Sequence, residues 1–484
     1  MTMPPSENAL LEPPTEGATT SYDPNTPPAL VDFMCRDWAP ASGELPAPVE
    51  GAGHFAARRR ALSRRFPGET LVIPTGSEKV RANDTNFRFR PGTDFYYLTG
   101  NTEPDCVLVM VPEADGHSDV LFVHPNPHKT DTTFFADRLK GELWVGPRLG
   151  VSESAARYDV DEARPLTALD EAVTNVQRGG PWRLRRDADA ALDARLPEQA
   201  ERDAELATFL SEQRLIKDDL EVRELEKAMA ATKRAFDEVA SALRTLTKER
   251  EVEGIFNLRA RVDGNDVGYN TIAAAGAHSC ILHWTRNDGI VEPGDLLLLD
   301  AGVEAESLYT ADVTRTLPID GQFSEPQRQV YELVLEAQRA GFAACKPGND
   351  FLAPNRAAMD VLAHGLQRLG ILESAEDALR EEHMFYRRYS LHNVSHMLGL
   401  DVHDCAAARS EAYKYGKLVA GMVLTVEPGL YFQLDDLTVP SKYRGIGVRI
   451  EDDVLITLDG YRILSDDIPR ETDAVERWVR GSAD

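Results

Sequence analysis

The sequence predicts an α/β domain followed by an α+β domain built on an internal repeat, with a Pro-rich extension ahead of both. Three observations carry that prediction. Strand-like apolar runs alternate with helical stretches in the first half of the chain. In the second half, Gly294-Asp295-Leu296-Leu297-Leu298-Leu299-Asp300-Ala301-Gly302 and Gly421-Met422-Val423-Leu424-Thr425-Val426-Glu427-Pro428-Gly429 share one pattern: glycine, any residue, four strand-type residues, an acid, any residue, glycine. Finally, 484 residues exceed what one ordinary core accommodates, so two domains are expected.

Residues 1–50 are rich in Pro, Thr, Ser and Glu, with Pro-Pro pairs at 4–5, 13–14 and 27–28, and read as an extension that is flexible or laid on the surface. A helix is expected over His54–Arg65. The first domain, 51–214, carries strand signals at Leu71–Pro74, Asp94–Leu98, Val107–Val111 and Val120–Val123, punctuated by Gly, Pro, Asn and Asp. Helical stretches near 154–174 and 187–213 alternate with them, and neither a phosphate loop nor a dinucleotide fingerprint is present. The second domain, 215–484, opens on a charged helix over Asp218–Lys248 with Leu220, Leu225 and Met229 at helical spacing. Ser324 caps a helix running to Ala344, where Pro347-Gly348 follow, and a further helix over Pro354–Leu369 stops at Gly370.

Composition narrows the function. Apolar content of 42% and charged content of 27% are those of a globular protein. A net charge of −27, spread along the chain, repels phosphate backbones and anionic lipid, which argues against nucleic acid or a membrane as a main partner and favours cations. No apolar run approaches the roughly 18–20 residues of a membrane span. Cys35, Cys106, Cys280, Cys345 and Cys405 are scattered and odd in number, without CxxC spacing, so neither a disulfide framework nor a zinc ribbon is expected. With no secretion signal in the Pro-rich N-terminus, the reading is cytoplasmic.

An acid that closes a buried strand costs free energy unless something pairs with it. Asp300 and Glu427 end the two copies of the repeat. A hairpin over Leu296–Leu317, turned near Glu306, sets Asp300 opposite Asp312 on one face. Three histidines crowd into His392-Asn393-Val394-Ser395-His396-Met397-Leu398-Gly399-Leu400-Asp401-Val402-His403. In Gly445-Ile446-Gly447-Val448-Arg449-Ile450-Glu451-Asp452-Asp453, alternation places Arg449 and Glu451 on one face. Asp300, Asp312, Glu427 and Glu451 cannot gather without large pKa penalties, which two divalent cations would balance with His396 as the nitrogen ligand. Oxygen-rich ligation without thiolate favours Mn²⁺, with Co²⁺, Fe²⁺ or Zn²⁺ as alternatives. A two-metal hydrolase follows.

The five segments, in this order, resemble the pita-bread metallopeptidases, and among them aminopeptidase P. Phe87 to Val111, with Phe-Arg-Phe-Arg-Pro-Gly-Thr-Asp-Phe-Tyr-Tyr-Leu-Thr-Gly and then Glu-Pro, is similar to that family's N-terminal domain. The resemblance spans about residues 51–470 and implies a pseudo-twofold catalytic domain. It implies that Asp300 is a terminal ligand of one metal, that Asp312 and Glu451 bridge, and that His396 and Glu427 hold the second. His283 and His403 match histidines on the substrate side, and His392 lines the same cleft. Arg449 and Tyr431 match residues supporting the cleft. The same roles make Glu427 the candidate to shuttle the proton to the prolyl nitrogen. Tyr96 stands where some relatives carry a tryptophan that reaches a neighbouring subunit's active site, and Asn393 replaces a glycine. The resemblance thus implies release of the first residue from peptides with proline in second position, by a homo-oligomer of two or four chains. Two other readings stay open on sequence: an Xaa-Pro dipeptidase (prolidase) with the same fold and metals, and a non-catalytic binding module.

Overall fold

The computed structural model describes residues 27–40, 43–83, 85–126 and 128–481. Much of the expected Pro-rich extension, 1–26 and 41–42, therefore lies outside the described residues. Its described part includes a helix at Pro28–Met34, and Val49 donates its backbone N–H to Arg157 O at 2.7 Å.

Helix α1 (Ala52–Arg65) buries Phe55 and Leu62. Strands β1 (Thr70–Pro74), β2 (Val107–Glu113), β3 (Gly116–Val123), β4 (Glu162–Pro165) and β5 (Trp182–Leu184) form one mixed sheet in the order β4-β3-β2-β1-β5. Inner strands β1 and β2 carry the β-branched and leucine runs that a sheet covered on both faces requires.

One expected strand is a helix. Asp94–Leu98 lies within α2 (Thr93–Thr99), and every residue from Asp94 to Thr99 is buried. A short apolar run buried all round has no period to read, so aromatic strand propensity misleads. Gly100 at φ +66° terminates the helix in a left-handed conformation. The stretch near 154–174 is likewise not one helix: Val151–Tyr158 and Leu169–Arg178 flank β4. That near 187–213 divides into Ala190–Arg195 and α3 (Ala200–Arg214), with Pro197 in the break.

Helix α4 (Asp219–Ala242) begins with a reciprocal cap. Asp218 accepts the N–H groups of Leu220 and Glu221 at 2.9 and 3.0 Å, and Glu221 accepts that of Asp218 at 3.0 Å. The helix stops short of Lys248 and is followed by α5 (Glu249–Asp263). Strands β6 (Ile272–Ala275), β7 (Leu296–Ala301) and β8 (Val313–Pro318) form a sheet in the order β8-β7-β6. Helices α6 (Glu325–Ala344) and α7 (Ala353–Arg368) follow, the first with Ser324 at its N-cap and the second ended near Gly370 at φ +73°. Strands β9 (Val423–Val426), β10 (Gly429–Tyr431), β11 (Gly447–Arg449), β12 (Asp452–Ile456) and β13 (Tyr461–Ile463) make the sheets β9-β12-β13 and β10-β11 before α8 (Thr472–Arg480).

The two sequence repeats occupy β7 and β9, and their glycines do equivalent work. Gly294 and Gly421 enter the strands at φ +90° and +93°, which a side chain resists. At the far ends a Cβ on Gly302 would sit 1.7 Å from Ala311 O, and one on Gly429 would sit 2.3 Å from the Tyr431 hydroxyl. Along β7, Leu297 and Leu299 enter the large core, while Leu298 joins Ile272, Ala274, Cys280 and Tyr431 in a small cluster. Period 2 places Asp300 on the face of Leu298. Fully burying each leucine contributes about 1.5–3 kcal/mol, which offsets the cost of holding an acid at the strand end.

The first domain grips the segment between His396 and Asp404. Arg214 donates to Asp404 at 3.0 Å and also pairs with Asp94, and Lys217 reaches the other oxygen of Asp404 at 3.2 Å. Thr93 donates to Asp401 at 2.7 Å. Among the described residues no helix is long and apolar enough to cross a membrane.

Candidate metal centre

Strand β8 returns beside β7 in a register two residues from the expected one. Asp300 pairs with Thr314 rather than Asp312, because the turn is tight at Ala305–Leu308, where Leu308 donates to Ala305 O at 2.8 Å with φ +63°. A shift of two preserves the face. Asp312, just before β8, therefore still meets Asp300: the Tyr269 hydroxyl stands 2.7 Å from Asp300 Oδ1 and 2.5 Å from Asp312 Oδ1. Asp453 Oδ2 accepts the Asp312 N–H at 3.0 Å and fixes the chain there.

The second repeat supplies the opposite wall. Val426 pairs with Asp452, so one step on, Glu427 and Glu451 come side by side. Arg449 and Glu451 share a face, as expected: Arg449 Nε donates to Thr314 Oγ1 at 3.1 Å, and that hydroxyl donates to Glu451 Oε2 at 2.7 Å. Arg449 also donates to Asp300 Oδ2 and, at 2.9 Å, to the Tyr431 hydroxyl. Asp452 points the other way, onto the buried guanidinium of Arg315 at 2.7 Å.

His396 donates from Nδ1 to Met397 O at 3.2 Å, which turns Nε2 inward, 3.3 Å from Asp312 Oδ2 and 3.5 Å from Glu427 Oε1. Burial alone would lower its pKa, but the hydrogen bond to Asp312 and the charges of Glu427 and Asp312 raise it to about 9. Burial and the Asp312 charge, against the pull of His396, lift Glu427 to about 7. Glu451 rises well above the carboxylate range through burial and the charges of Asp312, Glu427 and Asp300. The gathered, buried carboxylates penalise one another's charge. Ligand atoms of Asp312, His396 and Glu451 lie within 4.8 Å of one another. Hard oxygens, one imidazole and no thiolate fit a divalent cation.

The centre opens into a cavity of about 540 Å³ lined by Asp300, Asp312, His396, Glu427 and Glu451 together with His283, His392 and His403. His392 sits 2.7 Å from the Tyr431 hydroxyl and 3.4 Å from Glu427 Oε2, and burial together with Arg449 pushes its pKa down to about 4. His403 packs edge-on against His396, centroids 4.4 Å apart, and is lowered by burial and by that neighbour's charge.

The structure thus brings together ten of the eleven residues singled out in the sequence. Tyr431 is among them but buried, holding Arg449 and His392 rather than facing the cavity. Tyr96 is the exception. It lies on α2, 6% exposed and edge-on to Phe55, and does not line this chain's cavity. The resemblance implies that this position reaches a neighbouring subunit's site, which a single chain does not test. Sequence reading missed Tyr269. Its only signal is a tyrosine beside Gly268, where a Cβ would lie 1.8 Å from Thr310 Oγ1.

Comparisons with known proteins identify the family. The family model for metallopeptidase family M24 matches residues 223–458, and that for the aminopeptidase P N-terminal domain matches 55–181. Xaa-Pro aminopeptidase 1 of Streptomyces coelicolor is 50% identical over 461 residues, 94% of this chain and 93% of the relative. The Xaa-Pro aminopeptidase of Escherichia coli is 32% identical over 443 residues, 87% and 96% of the two chains. Among solved structures, proline aminopeptidase P II from Yersinia pestis superposes with a TM-score of 0.80 at 31% identity, covering 89% of this chain and all of that one (100%).

Proposed function

Because the chain belongs to metallopeptidase family M24, with an aminopeptidase P N-terminal domain ahead of its pita-bread catalytic domain, we propose that it is a metal-dependent Xaa-Pro aminopeptidase. It releases the N-terminal residue from peptides with proline in second position. The observation that carries this reading is the convergence of Asp300, Asp312, His396, Glu427 and Glu451 on one peptide-sized cavity.

Asp300, Asp312, His396, Glu427 and Glu451 would hold the divalent metal, two ions balancing the four carboxylates. Mn²⁺ suits the oxygen-rich set best. When bound, the ions supply Lewis-acid polarisation of the scissile carbonyl and activation of water at neutral pH. The remaining work falls to side chains. Glu427, at the cavity wall beside His392 and His396, is the residue we assign to move the proton from water to the prolyl nitrogen. His392, held neutral, orients Glu427. His283 and His403 contact the substrate carbonyl and the peptide beyond it, and Arg449 fixes Asp300.

We place the domain division near Arg214, with 1–50 as an extension, 51–214 as the N-terminal domain and 215–484 as the catalytic domain. Five cysteines without disulfide partners support a cytoplasmic setting. Phe385, Leu434 and Leu437, exposed on segments joined by the Arg388–Asp436 pair, offer the apolar surface a homo-oligomer would cover.

The relatives' names favour an aminopeptidase over a prolidase. The experiment is paired hydrolysis of an Xaa-Pro-Yaa tripeptide and an Xaa-Pro dipeptide in Mn²⁺. Preferred cleavage of the tripeptide supports the proposal. Cleavage of the dipeptide alone would mean the prolidase instead, and turnover of neither would bring the binding module to the front.

A further inference from the structure

Glu249, the first residue of α5, is 0% exposed and bonds to four groups, Ala275 at the end of β6 and three within the segment that carries His283. Its Oε1 accepts the Ala275 N–H at 2.8 Å and His278 Nδ1 at 2.8 Å. Its Oε2 accepts Trp284 Nε1 at 2.7 Å and the Gly289 N–H at 2.6 Å. All four partners donate, and a carboxylate only accepts, so the match is complete. The site is built around this acid. A Cβ on Gly289 would lie 2.6 Å from His278 Nδ1 and 2.7 Å from Glu249 Oε1, so the close approach requires glycine there. His278 and Trp284 stack with centroids 3.8 Å apart. Asn287 ties the same segment to the sheet, donating to Thr271 O at 2.9 Å and accepting the Ala273 N–H at 3.0 Å.

The segment Gly276–Gly289 contains little regular structure, yet Leu282, His283 and Thr285 line the cavity while Trp284 between them turns back to Glu249. His283 is exposed and has no side-chain anchor of its own among the described hydrogen bonds, so its position is set by its neighbours. We propose that Glu249 is the positioning residue for His283, fixing the Gly276–Gly289 segment so that the imidazole meets the substrate. This rests on the reading that His283 contacts substrate. Misplacing a reacting partner by about 1 Å costs on the order of 100-fold in rate, which sets the expected scale.

A double-mutant cycle on the full chain in saturating Mn²⁺ tests it, with kcat/KM for an Xaa-Pro-Yaa tripeptide as the readout. Glu249→Gln turns an amide N–H against donors and is expected to lower kcat/KM by ~10- to 100-fold with Mn²⁺ affinity unchanged. His283→Ala lowers it similarly. The combined variant is expected to be no worse than His283→Ala by more than ~3-fold, because one variant has already removed what the other disturbs. Losses that multiply overturn positioning by Glu249. His283→Ala at full activity overturns the substrate role of His283, and the positioning role with it. Should Glu249→Gln fail to fold, Trp284→Phe removes one of the four bonds while keeping a stacking ring. The same cycle run with Trp284→Phe and His283→Ala then separates positioning, where the losses overlap, from independent roles, where they multiply.

Discussion

Arg449 donates through Nη2 to Asp300 Oδ2, and both side chains are buried. The same guanidinium reaches Tyr431 and Thr314, so a single cation joins a carboxylate of the first repeat to β10 and to the hydroxyl that holds Glu451. Truncating it strands Asp300 and leaves the Tyr431 hydroxyl without its donor. Arg449→Ala is expected to destabilise the metal-free protein by about 3–5 kcal/mol. Denaturant unfolding with and without chelator checks this. A lysine keeps the charge but not the three-way fork, so Arg449→Lys is expected to recover only part of the loss.

Tyr269 makes a complementary prediction. Its hydroxyl touches both Asp300 and Asp312 and orients them before any cation arrives. Tyr269→Phe is expected to weaken Mn²⁺ binding by ~10- to 100-fold, the usual effect of losing a partner to metal ligands. Stability of the metal-free chain changes by only about 1 kcal/mol. Competition titration against a chromogenic chelator reads the first quantity. An unchanged affinity would mean that the backbone alone sets the two carboxylates.

Metal binding is expected to release protons. A ligand atom must be free of its proton to hold a cation. Without metal, His396 is held up to about 9 and so carries a proton at pH 7, and Glu427 is raised towards neutrality. At pH 7 protons should leave on loading, and affinity should fall as pH is lowered. Titration calorimetry in two buffers of different ionisation enthalpy measures the count. Zero release at pH 7 would contradict the charge balance described for the site.

Gly302→Ala tests the closing glycine of the first repeat. A Cβ there meets a backbone oxygen at 1.7 Å, and a backbone atom cannot swing aside like a side chain. The variant is expected to lose more than ~3 kcal/mol, beyond ordinary overpacking, with disruption centred on the β7–β8 turn. Gly348→Ala, with nothing within 4 Å of the added carbon but φ +91°, is expected to cost less, about 1 kcal/mol.

The sequence made several of the proposed metal-binding residues legible because they sit where local rules conflict. Asp300 follows four leucines, Glu427 ends the matching repeat, and Arg449 with Glu451 alternates against Val448 and Ile450. Such conflicts mark a functional site. The helix cap at Ser324 was equally readable from its own residue. What escaped was set at a distance. The β7–β8 register depends on a left-handed Leu308, which no turn signal announces. Phe95, Tyr96 and Tyr97 look like strand residues locally, but they are buried on all sides within a helix. Tyr269 and Glu249 matter through partners 31 to 43 and 26 to 40 residues further along the chain, and only folding shows those contacts.

Metal-dependent cleavage before proline is measured by product analysis of Xaa-Pro-Yaa after incubation with the chelated chain, before and after Mn²⁺ is returned. Free Xaa and Pro-Yaa are expected as the only products, appearing only once Mn²⁺ is restored. Cleavage that survives chelation, or cleavage after proline instead of before it, would refute a metal-dependent Xaa-Pro aminopeptidase.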